Sequence, residues 1–246
     1  MVDIDLTLLD RGRVHADMNF VVDGHAVATA SNRDPDHEYA EFVVWSLVID
    51  HPEAGDGYWP APLYEAFAHV DADEHDLEAD LDEVDAVVAS HLHLDHAGGL
   101  AAFEGTDVPV YVHREELPYA YYSATTDKGS IAYHAPDFER ELNWEVVGGE
   151  RRLLHEGVEL LHLPGHTPGL LGGLIERDGG EDLLIAGDEA YVAANYEGQP
   201  MATGLLWSNR DWRESLRRVR DVERRTGATV LLGHDLERFE AVRESL

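Results

Sequence analysis

Apolar residues in this chain come mostly in short runs rich in valine, isoleucine and leucine, broken by glycine, proline and aspartate, which is the pattern of strands more than of long helices. Residues 14–29 read as strands around a turn at Asp23-Gly24, and 40–49 as a longer buried strand. The run ending at Val87-Val88, and those at 108–112, 144–147, 158–163, 170–175, 183–186 and 228–232, predict further strands. Helical spacing is confined to a few stretches. Leu63, Phe67 and Val70 suit a helix over 60–70, and residues 71–85 form an acidic stretch, helical in part. Residues 209–225 place Leu216 and Val219 on one side, with a cap at Ser208 or Asn209 and a stop at Gly227, and 236–246 form a last helix. Strands followed by helices thus occur twice along the chain. The segment from His113 to Trp144, with tyrosines at 119, 121, 122 and 133, reads as a helical excursion whose tyrosines pack rather than bind.

The densest chemistry follows the Val87-Val88 run. Residues 85–100 read Asp-Ala-Val-Val-Ala-Ser-His-Leu-His-Leu-Asp-His-Ala-Gly-Gly-Leu, and His91, His93, Asp95 and His96 fall within six positions. Side chains two apart in an extended segment point the same way, so His91 and His93 can share one ion. Asp95 and His96 follow where the chain must turn, which aims them away from that pair and towards a second ion. A polar loop with solvated histidines is the bland alternative, and three histidines in six residues weigh against it.

Three other apolar runs stop on residues of the same kind. Leu160-Leu161-His162-Leu163-Pro164-Gly165 leads to His166, Leu183-Leu184-Ile185-Ala186-Gly187 to Asp188, and Val230-Leu231-Leu232-Gly233 to His234. Loops at strand ends converge while the strands hold them rigid, so these are the positions from which a site is completed. His113, His134, His155 and His162 lack such partners and read as structural or surface residues.

Taken together, His91-x-His93-x-Asp95-His96, His166, Asp188 and His234, in that order, resemble the metallo-β-lactamase superfamily over most of the chain. The resemblance, with the twice-repeated pattern, implies an α/β fold: a four-layered αββα sandwich with two mixed sheets inside and helices outside. It implies that His91, His93 and His166 bind one metal ion, that Asp95, His96 and His234 bind a second, and that Asp188 bridges them. Tyr191, three residues after Asp188, resembles the N-acyl-homoserine lactonases and implies a dinuclear-metal-dependent hydrolase that opens lactone rings with a metal-bridging hydroxide. In that reading Tyr191 stabilises the oxyanion and Asp95 shuttles the proton to the leaving alkoxide. Thioester hydrolysis of the glyoxalase II kind, phosphodiester hydrolysis and, further off, iron-dependent sulfur dioxygenation use related ligand sets. A non-catalytic binding protein is a third class. One departure stands out: the family's Asp-Thr-Gly, whose aspartate supports the ligands, is absent. Either the strand that carries it is deleted and Asp50, or else Asp56, takes over, or the support is missing and metal affinity suffers; Asp50 is the expected replacement.

Composition narrows these readings. The 246 residues suit one domain, 1–246, and no repeat or linker divides them. Cysteine is absent, so thiolate ligands and disulfides are excluded. Five imidazoles and two carboxylates suit two Zn²⁺ best, with Mn²⁺, Fe²⁺ or Co²⁺ also accepted by such ligands. The first residues do not resemble a secretory signal and no run approaches membrane-spanning length, so a cytoplasmic location is expected. The formal charge of −32 opposes nucleic acid and anionic membranes as partners, leaving a small-molecule substrate, with a homodimer allowed. Carboxylates are dispersed among apolar runs, and lysine occurs once, at Lys128, which suggests the salt-rich cytoplasm of a halophile. Screening length falls from roughly 30 Å at about 0.01 M salt to roughly 3 Å at about 1 M, so self-repulsion is suppressed only at the higher concentration. The melting temperature followed by circular dichroism is therefore expected to climb steeply with KCl; an unchanged value across that range would overturn the idea.

Overall fold

The computed structural model describes residues 3–52, 55–59, 84–126 and 128–246. Its frame is two sheets. In the first, β1 (Asp5–Asp17) runs antiparallel to β2 (Tyr39–His51), which is antiparallel to β3 (Gly55–Trp59). β4 (Val84–Val88), β5 (Pro109–His113) and β6 (Asn143–Val147) then add in parallel, making six strands in chain order. In the second, β7 (Arg151–His155), β8 (Val158–His162), β9 (Leu171–Ile175) and β10 (Leu183–Gly187) are antiparallel neighbours, and β11 (Thr229–Leu232) joins β10 in parallel. Both sheets are mixed, as expected.

The apolar runs are continuous rather than alternating because most strands are covered on both faces. Leu160 faces the interior between the sheets, where Leu6, Val43, Leu47 and Val88 of the first sheet meet Leu171, Ile185 and Leu231 of the second. Its neighbour Leu161 faces outward, where Leu184 and Val230 pack under Trp212, Leu216 and Val219 of α6 (Asn209–Thr226). On the opposite outer face, Val87, Val110 and Val112 pack under Leu100, Phe103, Ala120 and Phe138. These belong to a 3-10 turn at Gly98–Phe103, to α3 (Glu116–Thr125) and to α4 (Ala135–Phe138). The remaining helices among the described residues are α1 (Met18–Val21), α2 (Leu94–Ala97), α5 (Ala193–Tyr196) and α7 (Leu236–Ser245). Counted from outside, the order is helices, sheet, sheet, helices: the four-layered sandwich. Ser208 caps α6 by accepting from Asp211 N, and Gly227 follows its last residue.

Several elements differ from the sequence reading. Of the strands expected around Asp23-Gly24, the first begins much earlier, at Asp5, and ends at Asp17, whose carboxylate accepts the Asn19 amide at 2.8 Å and starts α1, and no strand follows the turn over 25–29. β7 was unexpected: nearly all of its residues are exposed, so an edge strand leaves no alternation to read. The strand read as deleted after β2 is present as β3. Its Gly-Asp-Gly start has poor intrinsic strand preference, and pairing with β2 on one side and β4 on the other holds it in place. The helix expected over 60–70 and the acidic residues 71–83 lie outside the described residues. Among those described, no helix is long and apolar enough to cross a membrane.

Candidate metal centre

β4 delivers the chain into the space between the sheet ends, and α2 begins at Leu94, so the turn expected between His93 and Asp95 is present. Seven side chains converge there in two groups, His91, His93 and His166 in one, Asp95, His96, Asp188 and His234 in the other; within each, one ligand atom per residue lies within 4.8 Å of the others. In the first group His166 Nε2 is 3.2 Å from His91 Nε2 and 2.9 Å from His93 Nδ1. Donor atoms about 2.0–2.1 Å from one tetrahedral Zn²⁺ would lie roughly 3.3 Å from each other, so the spacing suits a shared ion.

The protons point the same way. A carbonyl cannot donate, so the 2.8 Å contact of His166 Nδ1 with Leu205 O and the 3.0 Å contact of His234 Nδ1 with Val43 O put a hydrogen on each Nδ1. In the neutral tautomer both Nε2 lone pairs then face the centre. Ser90 Oγ lies 3.2 Å from His91 Nδ1 and 3.4 Å from His96 Nδ1, and Ser130 Oγ 3.2 Å from His93 Nε2, so the outward nitrogens of the other three rings have partners too. Inside, His96 Nε2 and Asp188 Oδ1 are buried without a hydrogen bond. Lone pairs crowded together and buried polar atoms without partners are what a cation would satisfy, and the donor set fits two.

Asp188 ends β10 and lies between the groups. Its Oδ2 is 3.3 Å from His96 Nε2, 3.5 Å from His166 Nε2 and 3.7 Å from His91 Nε2, while Oδ1 is 3.3 Å from His234 Nε2. Asp95 Oδ2 is 3.7 Å from His96 Nε2 and 3.6 Å from His234 Nε2. Burial, with mutual repulsion, holds His91 and His93 well below the ordinary histidine range, and burial holds His166 below it as well. Burial acts in the same direction on His96 and His234, but Asp188, and after it Asp95, outweighs it and raises both, His234 to about 9. For Asp188 burial opposes ionisation, yet His96 and His234 keep it well below the usual carboxylate range.

Tyr191 packs between His166 and His234, with both ring centroids at 5.4 Å. Its loop is tied to the end of β11 by the His234 amide, which donates to Tyr191 O at 2.8 Å. The hydroxyl oxygen lies 3.2 Å from His166 Nδ1, whose hydrogen is directed to Leu205 O, so the hydroxyl hydrogen is free to point elsewhere. Burial, reinforced by Asp188 and Asp95, pushes this phenol well above its ordinary range and keeps it a donor. Beside the centre a cleft is lined by His93, Asp95, Asp188, Tyr191 and His234 together with Val14, Ala16, Phe20, Val21 and Phe42 of β1, α1 and β2, and Tyr191 packs in one cluster with Val21 and Phe42.

Gly165 explains how His166 reaches its place. A Cβ there would lie 2.4 Å from Trp212 Cα, so only glycine lets the loop pass this close to α6.

Two expectations about supporting residues change. Asp50 is exposed and lies seven residues along β2 from Val43, roughly 23 Å at strand rise, so it cannot support the ligands. Asp56 pairs with Asp50 in register, and its backbone lies at that same remote end. The outward nitrogens instead meet Ser90, Ser130 and two backbone carbonyls, none of which carries a sequence signal, because single serines are common and any residue supplies a carbonyl. The four histidines read as structural or surface residues stay apart from the centre: His113 stacks on His162 at 3.6 Å, His155 lies 5.5 Å from His51, and His134 meets Asp137 at 3.1 Å.

A family model described as the metallo-beta-lactamase superfamily matches residues 54–234. The N-acyl homoserine lactonase AiiB of Agrobacterium fabrum is 29% identical over 268 aligned positions, covering 98% of this chain and 96% of that protein. An N-acyl homoserine lactonase of a Bacillus species is 34% identical over 151 positions, covering 61% of this chain and 56% of that protein. Among solved structures, a quorum-quenching N-acyl homoserine lactone lactonase superposes with a TM-score of 0.78 at 24% identity, covering 98% of this chain and 95% of that one.

Proposed function

Starting from a chain that belongs to the metallo-beta-lactamase superfamily and is a metal-dependent hydrolase, we propose that its reaction is the opening of the ring of N-acyl-homoserine lactones or closely related lactones. The observation that carries this reading is the cleft itself, whose lining brings Tyr191 and Asp95, beside the two ligand groups, together with apolar side chains of Val14, Ala16, Phe20, Val21 and Phe42. A polar head with an ester carbonyl suits the metal-facing groups and an acyl chain suits the apolar ones.

His91, His93 and His166 would hold one divalent cation, Asp95, His96 and His234 a second, and Asp188 would bridge them, with Zn²⁺ the best match to such donors. Such cations, when bound, supply Lewis acidity and lower the pKa of water from about 16 towards 7. Tyr191 donates a hydrogen bond to the carbonyl oxygen as negative charge builds there. Asp95, with its carboxylate partly open to the cleft, takes the proton released from water and passes it to the ring oxygen as the C–O bond breaks. Water is added across the ester, and the products are a carboxylate and a free hydroxyl on one molecule.

The test is a panel of lactones of varied acyl length, assayed beside a thioester and bis-p-nitrophenyl phosphate, after metal content has been measured. Lactones are expected to be turned over fastest; faster cleavage of the thioester or phosphodiester would replace this reading with the corresponding hydrolase.

Loading should depend on pH unequally. Without a cation His234 is held protonated up to about 9, so an ion entering the second group must displace a proton, whereas burial keeps the three imidazoles of the first group neutral. Each displaced proton costs about tenfold in affinity per pH unit below the raised pKa. Dialysis at successively lower pH from about 8 to 6 is expected to release the second group's ion first. Simultaneous release of both would count against this division.

A further inference from the structure

Glu116, the first residue of α3, is fully buried and belongs to neither ligand group. Its two oxygens accept four hydrogen bonds. Oε1 takes the Leu92 amide at 3.0 Å and the Tyr133 hydroxyl at 2.7 Å; Oε2 takes the Thr167 hydroxyl at 2.7 Å and the Gly169 amide at 3.1 Å. Leu92 sits between His91 and His93, and Thr167 follows His166. Tyr133 also forms a backbone bridge with His93 and packs edge-on against its ring at 4.5 Å. One carboxylate therefore binds a residue adjacent to each of the three members of the first group, Leu92 through its amide and Thr167 through its hydroxyl. It does so across the fold, because Leu92 follows β4 of the six-stranded sheet while Thr167 and Gly169 lie between β8 and β9 of the other. The seat is close: a Cβ on Gly169 would come within 2.4 Å of Glu116 N and Cβ, so the loop after His166 rests directly on the start of α3.

Resting on the reading of His91, His93 and His166 as ligands, we infer that Glu116 is a positioning residue for the first metal ion, joining the two loops that carry those ligands into one preformed site. Each oxygen faces one backbone amide and one hydroxyl, and because an amide N–H can only donate, only a side chain that accepts at both ends satisfies both amides. Glutamine has the right shape but turns an NH₂ toward one of the two amides, which is then left unsatisfied in a buried place even where the neighbouring hydroxyl turns to accept. Removing outer partners of metal ligands typically weakens metal binding by about 10–100-fold, and the same range is expected here.

The experiment measures zinc affinity of the metal-free protein by competition with a chromophoric chelator. The absorption spectrum of the Co²⁺ form and the melting temperature of the metal-free form accompany it. Glu116→Gln and Thr167→Val are expected to weaken the first ion by about tenfold or more and to alter the Co²⁺ bands, while Thr167→Ser, which keeps the hydroxyl, stays within about threefold of wild type. If Glu116→Gln fails to fold, the contrast between the valine and serine variants at Thr167 decides. His166→Ala separates the two levels of the reading. Should it lose the first ion while Glu116→Gln lowers only the melting temperature, with affinity and spectrum unchanged, the positioning role is overturned and the ligand set stands. Retention of that ion by His166→Ala would remove the ligand assignment and this inference with it.

Discussion

Asp188→Ala is expected to abolish tight binding of both metal ions, a larger loss than any single histidine change produces. Each histidine belongs to one group and is neutral when it binds an ion, whereas the two oxygens of Asp188 lie 3.3–3.7 Å from four imidazole nitrogens drawn from both groups. Its negative charge also offsets repulsion between two cations a few ångströms apart. Removing one partner from a buried charge pair costs about 3–5 kcal/mol, which corresponds to roughly 10²–10⁴ in affinity. His166→Ala should by contrast spare the second group. Elemental analysis after exhaustive dialysis distinguishes the cases, and an alanine variant that still holds two tightly bound ions would mean that Asp188 does not bridge.

Tyr191→Phe should leave fold and metal content intact while lowering turnover by about 10²–10³, equivalent to roughly 2–4 kcal/mol of transition-state stabilisation, with the lower end favoured because a cation shares the role. The phenol is held protonated by burial and by the nearby carboxylates, and its hydrogen is not needed by His166, which already donates to Leu205. The effect belongs on kcat rather than KM, because the bond strengthens only as charge develops on the carbonyl oxygen. Packing between His166 and His234 is the competing role for this ring, and phenylalanine would preserve it. Steady-state rates on an acyl-homoserine lactone at matched metal occupancy decide between them. A change below about threefold would take Tyr191 out of the chemistry.

Much of the centre was legible because its donors sit where strands stop. An apolar run that ends on histidine or aspartate announces both a buried strand and the residue placed at its mouth, and this held for His91, His166, Asp188 and His234 alike. The two-residue spacing of His91 and His93, followed by a turn, foretold which side chains group together. Reading failed where pattern carries little information. β7 lies exposed at a sheet edge, and β3 is kept extended by its neighbours despite two glycines.

By itself, then, the sequence determined the layered fold and picked out the seven side chains that converge, because continuous apolar strands must be covered on both faces and because residues at the ends of neighbouring strands meet where those strands stop. Only the tertiary structure decided what holds the donors in place. The aspartate expected to support the ligands was sought at Asp50, but register carries that residue roughly 23 Å along β2 from Val43. The outward ring nitrogens are met instead by Ser90, Ser130 and the carbonyls of Val43 and Leu205, and the flanking backbone by Glu116. Partners of this kind arise from distant segments brought together by folding, and a serine, a carbonyl or one more glutamate among 50 acidic residues looks the same in sequence whether or not it stands beside a metal ligand.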